Sequence, residues 1–270
     1  MTKEQYVDNQ DYLKEQYANA DNLNVRIRLH ELFSTNKQGL QPWLFEQMAI
    51  APGMRVLELG CGTGNLWLEN LERVPEDVEI VLSDFSEGML GQAQAALAKA
   101  GPHFVFKVID AQEIPFPDDA FDVVIANHML YHVPNRRKAF SEIRRVLKPR
   151  GRFYASTIGE AHMQELHELM GRFDASLFSW GKSASAAFCL ENGLEQLIPY
   201  FDQVSMRRYN DDLLVTDAEM LLAYILSGRL TLDEDQQAEL AAFVRHEVAA
   251  SPQGFFITKD SGVFEAVASR

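Results

Sequence analysis

Val56-Leu57-Glu58-Leu59-Gly60-Cys61-Gly62-Thr63-Gly64, continued by Asn65-Leu66-Trp67-Leu68-Glu69, decides how this chain of 270 residues is read. An apolar run interrupted by one acid, three glycines on alternate positions and a further apolar stretch describe a buried parallel strand, a tight turn and a helix start. Glycine suits such a turn because it tolerates positive φ and puts no Cβ between the backbone and a ligand. A dinucleotide fingerprint would be spaced G-x-G-x-x-G and would aim its amides at a pyrophosphate. Here the spacing is G-x-G-x-G, with Glu58 just upstream. A carboxylate there suits a cationic ligand better than a phosphate. Taken alone, the turn also fits a purely structural strand-to-helix junction.

The segments that follow narrow the choice. Glu79–Asp84 is a second apolar strand ending in an acid, twenty positions after Gly64, where doubly wound folds place a carboxylate on ribose hydroxyls. Phe104–Asp110 again ends in Asp, and Phe121–Asn127 ends in an amide. Four strands thus carry Glu58, Asp84, Asp110 and Asn127 to their carboxyl ends, where open α/β sheets bind ligands.

These blocks (VLELGCGTG at 56–64, LSDFSEGML at 82–90, IDAQEIPFPDDAFDVVIANHMLYHV at 109–133 and RRVLKPRGRFYAST at 144–157) resemble the class I S-adenosylmethionine-dependent methyltransferases. The similarity is greatest to the small-molecule branch that includes the ubiquinone and menaquinone biosynthesis methyltransferases, and it covers roughly residues 50–160. It implies an α/β fold: a Rossmann-like, seven-stranded, mostly parallel sheet with helices on both faces, an antiparallel last strand between strands five and six, and a helical cap. The implied organisation is an N-terminal cap over 1–48 and a methyltransferase domain over 49–270, with helical insertions at about 160–200 and 217–250.

Composition is consistent with that class. The chain is 47% hydrophobic, no apolar run reaches membrane-spanning length, and the start lacks the basic flank and apolar core of a signal peptide. A soluble cytoplasmic protein, monomer or homodimer, is expected. A net charge of −14 argues against a nucleic-acid partner. The basic residues between Arg136 and Arg152 read as a solvated helix face and its C-terminal turn. Cys61 and Cys189 form neither a metal spacing nor a disulfide framework, and no metal is expected.

Outside the matched blocks, periodicity and turn residues serve. Leu23–Phe33 reads as a helix, and Pro42 opens another. Ser86–Ala100 is a helix, and Asn135–Leu147 is a helix stopped by Pro149-Arg150-Gly151, with Phe153–Thr157 as the fifth strand. Glu160–Phe173 and Glu191–Tyr200 look helical, Ser176–Ala187 is ambiguous, and Gln203–Tyr209, extended to Val215, is a sixth strand. Asp217–Leu226 and Asp233–Ala250 are capped helices. The last strand spans 254–266 and is expected to split or bend near Asp260-Ser261-Gly262.

The resemblance implies that Glu58 and the backbone of Gly60, Cys61 and Gly62 hold the methionine end of S-adenosylmethionine, and that Asp84 accepts from its ribose. Phe85 packs on adenine, with Met89 nearby, and Asp110 accepts the adenine amino group beside Ala111 and Gln112. Asn127 and His128 lie at the sulfonium end, where S-adenosylhomocysteine is the product. Tyr17, from the leading segment, is a further cofactor-binding candidate; Arg28 and His30 are candidates for the pocket. His128, with Tyr131 and His132, is the catalytic candidate: an imidazole after the fourth strand could take a proton from an oxygen, nitrogen or activated carbon. It could equally only hydrogen-bond the cofactor. His162, His167 and His246 read as surface or core residues. The expected partner is a small, partly apolar methyl acceptor. The alternatives are a nicotinamide-dependent oxidoreductase, disfavoured by the glycine spacing and Glu58, and a noncatalytic cofactor-binding protein on the same fold.

Overall fold

The alternation of the central strands places their side chains in two layers. In the computed structural model, which describes residues 21–100, 104–177, 186–228, 230 and 232–268, β1 (Arg55–Leu59) pairs in parallel with β2 (Glu79–Asp84) and β4 (Phe121–Asn127). Leu57, Val81, Val124 and Ala126 enter one core, and Val56, Ile80, Leu82, Val123 and Ile125 enter the other. Strands buried on both faces read as continuous apolar runs because each parity meets its own layer of helices.

The seven strands lie in the order β3-β2-β1-β4-β5-β7-β6. The remaining strands are β3 (Phe104–Val108), β5 (Leu147–Ile158), β6 (Gln203–Val215) and β7 (Phe255–Val267). β7 is antiparallel to both β5 and β6, as expected, and the other neighbours are parallel. On one face α5 (Arg136–Val146) buries Ala139, Phe140, Ile143 and Val146, a stripe at helical spacing on an otherwise charged helix. On the other face lie α2 (Leu40–Gln47), α3 (Asn65–Leu68) and α4 (Glu87–Leu97), packed around Trp67.

A third core, the cap, is built mainly by segments outside the four sequence blocks that carry the resemblance. Leu29 of α1 (Asp21–Phe33) meets Leu166, Leu169 and Met170 of α6 (Gln164–Phe173), Leu221 and Ile225 of α8 (Ala218–Leu226), and Leu240 and Val244 of α9 (Glu234–Ala249). Leu213, Val215 and Ile257 from the ends of β6 and β7 close it from below. The caps expected at Asp217 and Asp233 are present, the latter as a full capping box with Gln236.

Five local expectations need correction. The helix before the fifth strand stops at Val146, and β5 begins at once with Leu147, paired to Phe121. Pro149 and Arg150 sit in a register shift before Val123 pairs with Arg152, the kind of irregularity in which a strand accepts proline. The last strand is continuous across Asp260-Ser261-Gly262. Gly262 is there for close approach, since a Cβ would meet the Arg207 carbonyl oxygen at 2.6 Å. β3 ends at Val108, so Asp110 lies beyond it, in a bridge with Glu113. The helix expected from Glu160 begins only at Gln164, after Met163 turns the chain at φ 59°, and that expected over Glu191–Tyr200 is the short α7 (Gly193–Leu197). Most of Ser176–Ala187 lies outside the described residues.

Candidate functional site

The carboxyl ends of β1, β2 and β4, together with the turn after β3, surround a cavity of about 360 Å³. Its wall includes Glu58, Gly60, Cys61, Gly62, Asp84, Phe85 and Met89. Asp110, Ala111, Gln112, Asn127, His128, Tyr131 and His132 complete it, so every described cofactor and catalytic candidate meets at one place, whereas the pocket candidates Arg28 and His30 do not line it. Ile27 of α1 also reaches this wall. Tyr17 lies outside the described residues, and Arg28 is exposed and paired with Glu31.

Backbone conformation makes the floor. Gly60, Gly62 and Gly64 all have positive φ, at 69°, 56° and 82°. A Cβ on Gly60 would lie 2.7 Å from Cβ of Met129, so the turn and the β4 loop pack as closely as backbone permits. The Cys61 amide donates to the Ser83 carbonyl at 2.8 Å and ties the turn to β2.

The acids are held, not solvated. Asp84 accepts from the Gly62 amide at 2.9 Å through Oδ2 and from the Ser86 amide at 2.8 Å through Oδ1. Burial still pushes its carboxyl above the usual range. Glu58 accepts from the Trp67 indole at 2.6 Å and more distantly from the Asn127 amide. Its pKa is raised to about 7, first by burial; the bonds from Trp67 and Asn127 work against the rise and the charge of Asp84 with it. Asp110 accepts from the Gln112 amide at 2.8 Å and is gripped by the Gln112 side chain at 3.1 Å. Asn127 Oδ1 is closed to solvent and has no hydrogen-bond partner. An orphaned acceptor, two restrained carboxylates and a glycine floor fit a cationic ligand rich in hydroxyls; a buried acid without such a partner is costly.

His128 follows β4 at φ 50°, a strained conformation for a residue with a side chain, and its amide donates to the Ser156 carbonyl at 3.0 Å. Burial, then Lys259, lowers its pKa to about 4, so the ring is neutral at neutral pH. His132 is also pushed down to about 4, by burial and then by Arg26, and its ring lies 4.5 Å from that of Tyr131. Sequence reasoning gave Lys259 no role and read His162 only as a surface or core residue, yet both come close to His128; the one sign was a lysine among buried positions of β7. Tyr224, one of the aromatics expected to make the acceptor pocket partly apolar, meets His30 edge-on at 6.1 Å. Elsewhere Glu160, Cys189 and Glu191 approach within 4.8 Å of one another. Glu191 is engaged by Arg208, and burial raises the Cys189 thiol, an arrangement of ion pair and neutral thiol unsuited to a metal.

A seven-stranded sheet with an antiparallel seventh strand and an acid-lined glycine cradle defines the methyltransferase class of α/β proteins. The methyltransferase domain family matches residues 50–197, more than half of the chain, and the chain belongs to that family. Among curated relatives, it is 41% identical over 102 residues to the ubiquinone/menaquinone biosynthesis C-methyltransferase UbiE of Geobacter sulfurreducens, covering 37% of this chain and 40% of that one. It is 37% identical over 109 residues to the demethylmenaquinone methyltransferase of Symbiobacterium thermophilum, covering 40% and 43%. The matches thus span less than half the length of these relatives. In structure it is similar to phosphoethanolamine N-methyltransferase 2 of Haemonchus contortus, with TM-score 0.56, 16% identity, and 100% and 61% of the two chains covered. It is also similar to the [4+2]-cyclase SpnF, with TM-score 0.53, 18% identity, and 85% and 79% covered. The fold therefore carries more than one chemistry, and the reaction has to be argued from the site. Among the described residues no helix is long and apolar enough to cross a membrane.

Proposed function

We propose that this protein binds S-adenosylmethionine and transfers its methyl group to a small, partly apolar molecule. The observation that carries the reading is the convergence of Glu58, Asp84, Asp110 and Asn127 on one cavity, over a turn whose glycines leave room for a ligand against the backbone. When bound, S-adenosylmethionine supplies a methyl group activated by a positively charged sulfur. Asp84 has lone pairs left for two ribose hydroxyls after the amides of Gly62 and Ser86 have taken theirs. Phe85, 37% exposed on the cavity wall, offers its ring to a flat base, and Asp110 and Gln112 offer polar edges. Glu58 and Asn127 Oδ1 suit a protonated amine. Met129, Tyr131 and Ile27 give the rest of the cavity an apolar lining that shields the acceptor from water.

Methyl transfer depends chiefly on alignment and exclusion of water, so the chain's main contribution is positional. His128, neutral and at the end of β4, is placed to hold or accept the acceptor's proton. The acceptor groups named for the curated relatives do not carry over, because the cap lies largely outside the family match.

Calorimetry tests the reading. S-adenosylmethionine and S-adenosylhomocysteine are expected to bind, without comparable binding of NAD or NADP. Asp84→Ala loses charge-assisted hydrogen bonds of about 1.5–3 kcal/mol each before water compensates, so cofactor affinity falls by about tenfold or more. Tight NAD binding with no affinity for the sulfonium overturns the proposal.

A further inference from the structure

Trp67 is the largest fully buried side chain among the described residues. It belongs to α3, the short helix that follows the glycine turn, and its ring packs edge-on against Phe45 of α2 at 6.1 Å and Phe104 of β3 at 5.9 Å. From among these apolar neighbours the indole N–H donates to Glu58 Oε2 at 2.6 Å. The Asn127 amide reaches the other oxygen, Oε1, at 3.4 Å. Glu58 and Asn127 line the cavity, whereas Trp67 does not. Oε2 therefore points into the core, and Oε1 is the oxygen on the cavity side.

A buried indole needs an acceptor, but a backbone carbonyl or a hydroxyl would serve it. A buried carboxylate is the costlier member of the pair, so the acid is not there for the indole's sake. An indole is a donor only, so its bond favours the ionised acid and leaves any proton on Glu58 to Oε1. The surroundings work the other way. Burial opposes ionisation most, and the charge of Asp84, from β2, adds to it. The Cys61 thiol, kept neutral by burial, brings no charge, and Asn127, from β4, contributes its amide only at the longer distance. In the ligand-free site Trp67 is thus the strongest hold on the ionised form of Glu58.

We propose that Trp67 is a positioning residue of the methionine subsite: its indole holds Glu58 Oε2 so that Oε1 is fixed toward the ammonium group of S-adenosylmethionine. The inference rests on the methyltransferase reading and adds to it a residue that touches no ligand. A ring packed on two sides by other rings has little room to turn, so Nε1 keeps its place when the ligand arrives. Without that anchor a glutamate side chain has several rotamers to choose from, and fixing it would fall to the ligand. Trp67 also follows Gly64 by three residues, so the turn that forms the floor of the cavity delivers the donor as well. One local segment thereby sets both the space for the cofactor and the orientation of the acid that meets its charge.

The test uses the full chain and two ligands that share a nucleoside and a sulfur: S-adenosylhomocysteine, which carries the amino acid, and methylthioadenosine, which lacks it. Trp67→Phe keeps an aromatic ring in the core and removes the N–H. By calorimetry at neutral pH it is expected to weaken S-adenosylhomocysteine at least about tenfold and to leave methylthioadenosine within about twofold. The deficit is expected to shrink as pH rises, because loss of the donor favours the protonated acid. Equal loss for both ligands, a deficit independent of pH, or unchanged affinity for S-adenosylhomocysteine would each overturn the proposal, the first two by assigning Trp67 to packing alone. If the phenylalanine variant does not fold, the indole N–H resonance of Trp67 in wild-type protein decides. In the ligand-free state it is expected to titrate with Glu58, to lose that pH dependence in Glu58→Gln, and to stop titrating when S-adenosylhomocysteine is bound. A resonance indifferent to pH in the ligand-free state, or one that still titrates at saturation, overturns the proposal. Failure of wild-type protein to bind S-adenosylhomocysteine is a separate result, and it overturns the methyltransferase reading and this inference together.

Discussion

The cofactor end of the molecule and the cap end solve the same problem by different means. At the cofactor end, polar groups come from short, contiguous segments at the ends of adjacent strands, and much of the geometry is backbone: three glycines at positive φ and two amides on Asp84. At the cap end, His30, His162, Tyr224 and Lys259 arrive from four distant segments, and the arrangement is mostly one of side chains, with a single backbone amide, that of Asp260, on His162. Backbone geometry leaves a trace at fixed spacing in a sequence, because few residues permit it. A meeting of side chains brought about by tertiary packing leaves none.

The comparison breaks most visibly at the buried pair. Asp211 of β6 and Lys259 of β7 are cross-strand partners, with side chains 0% and 5% exposed. Asp211→Ala strands a buried ammonium and is expected to cost about 3–5 kcal/mol, read from urea unfolding. Affinity for S-adenosylhomocysteine under native conditions should change only a few-fold. Asp211→Leu combined with Lys259→Met should recover most of the loss. A comparable collapse of cofactor affinity would show that the two ends are not energetically separable.

At the other end, Glu58 makes stability depend on pH. Its pKa is about 7 in the fold against 4.5 unperturbed, so the folded protein holds the proton more tightly than the unfolded chain does. The contribution is complete below about pH 4.5 and is lost as pH rises through about 7, a swing on the order of 3 kcal/mol. Unfolding of ligand-free protein at several pH values should show this decline, and Glu58→Gln should remove it. A cationic ligand reverses the preference, so S-adenosylmethionine should bind more tightly as pH rises through the same window. A wild-type profile as flat as the Gln variant's would mean that Glu58 stays ionised in the ligand-free site.

The smallest effects sharpen the division. Ser86 caps α4 by accepting from the Met89 amide, and Asp217 caps α8 by accepting from the Glu219 and Met220 amides. Replacing either with Ala should cost about 1 kcal/mol of stability. Only Ser86→Ala, beside Asp84, should also weaken S-adenosylhomocysteine binding. Equal effects on affinity would argue that the cap contributes to the cofactor site.

Much of this was legible in the sequence. The glycine spacing and the residue ending each apolar run located Glu58, Asp84 and Asn127, and even the antiparallel seventh strand followed from the resemblance. Asp110 was found although β3 stops short of it, because its turn partners Ala111 and Gln112 are adjacent in sequence. Errors arose where tertiary contact overrides local signals: Pro149 and Gly151 look like a helix stop but occupy an irregular strand start, and Gly262 looks like a break but sits where three strands press together. His162 was read as ordinary because nothing near it in the chain reveals that it will face His128 and His30.

The place of β7 also orders events in time. Since β7 lies between β5 and β6, the sheet edge that supports the cap is incomplete until residues 255–267 arrive, although β6 and the cap helices named above precede them in the chain. Strands β1 to β5, and with them the glycine cradle, have no such dependence. Assembly on a ribosome is therefore staged, with the cradle able to form early and the cap waiting for the final strand to be threaded beside β5, a pairing that spans about a hundred residues of chain. Pulse-labelled hydrogen exchange during refolding should find the amides of β1 and β4 protected before those of β6.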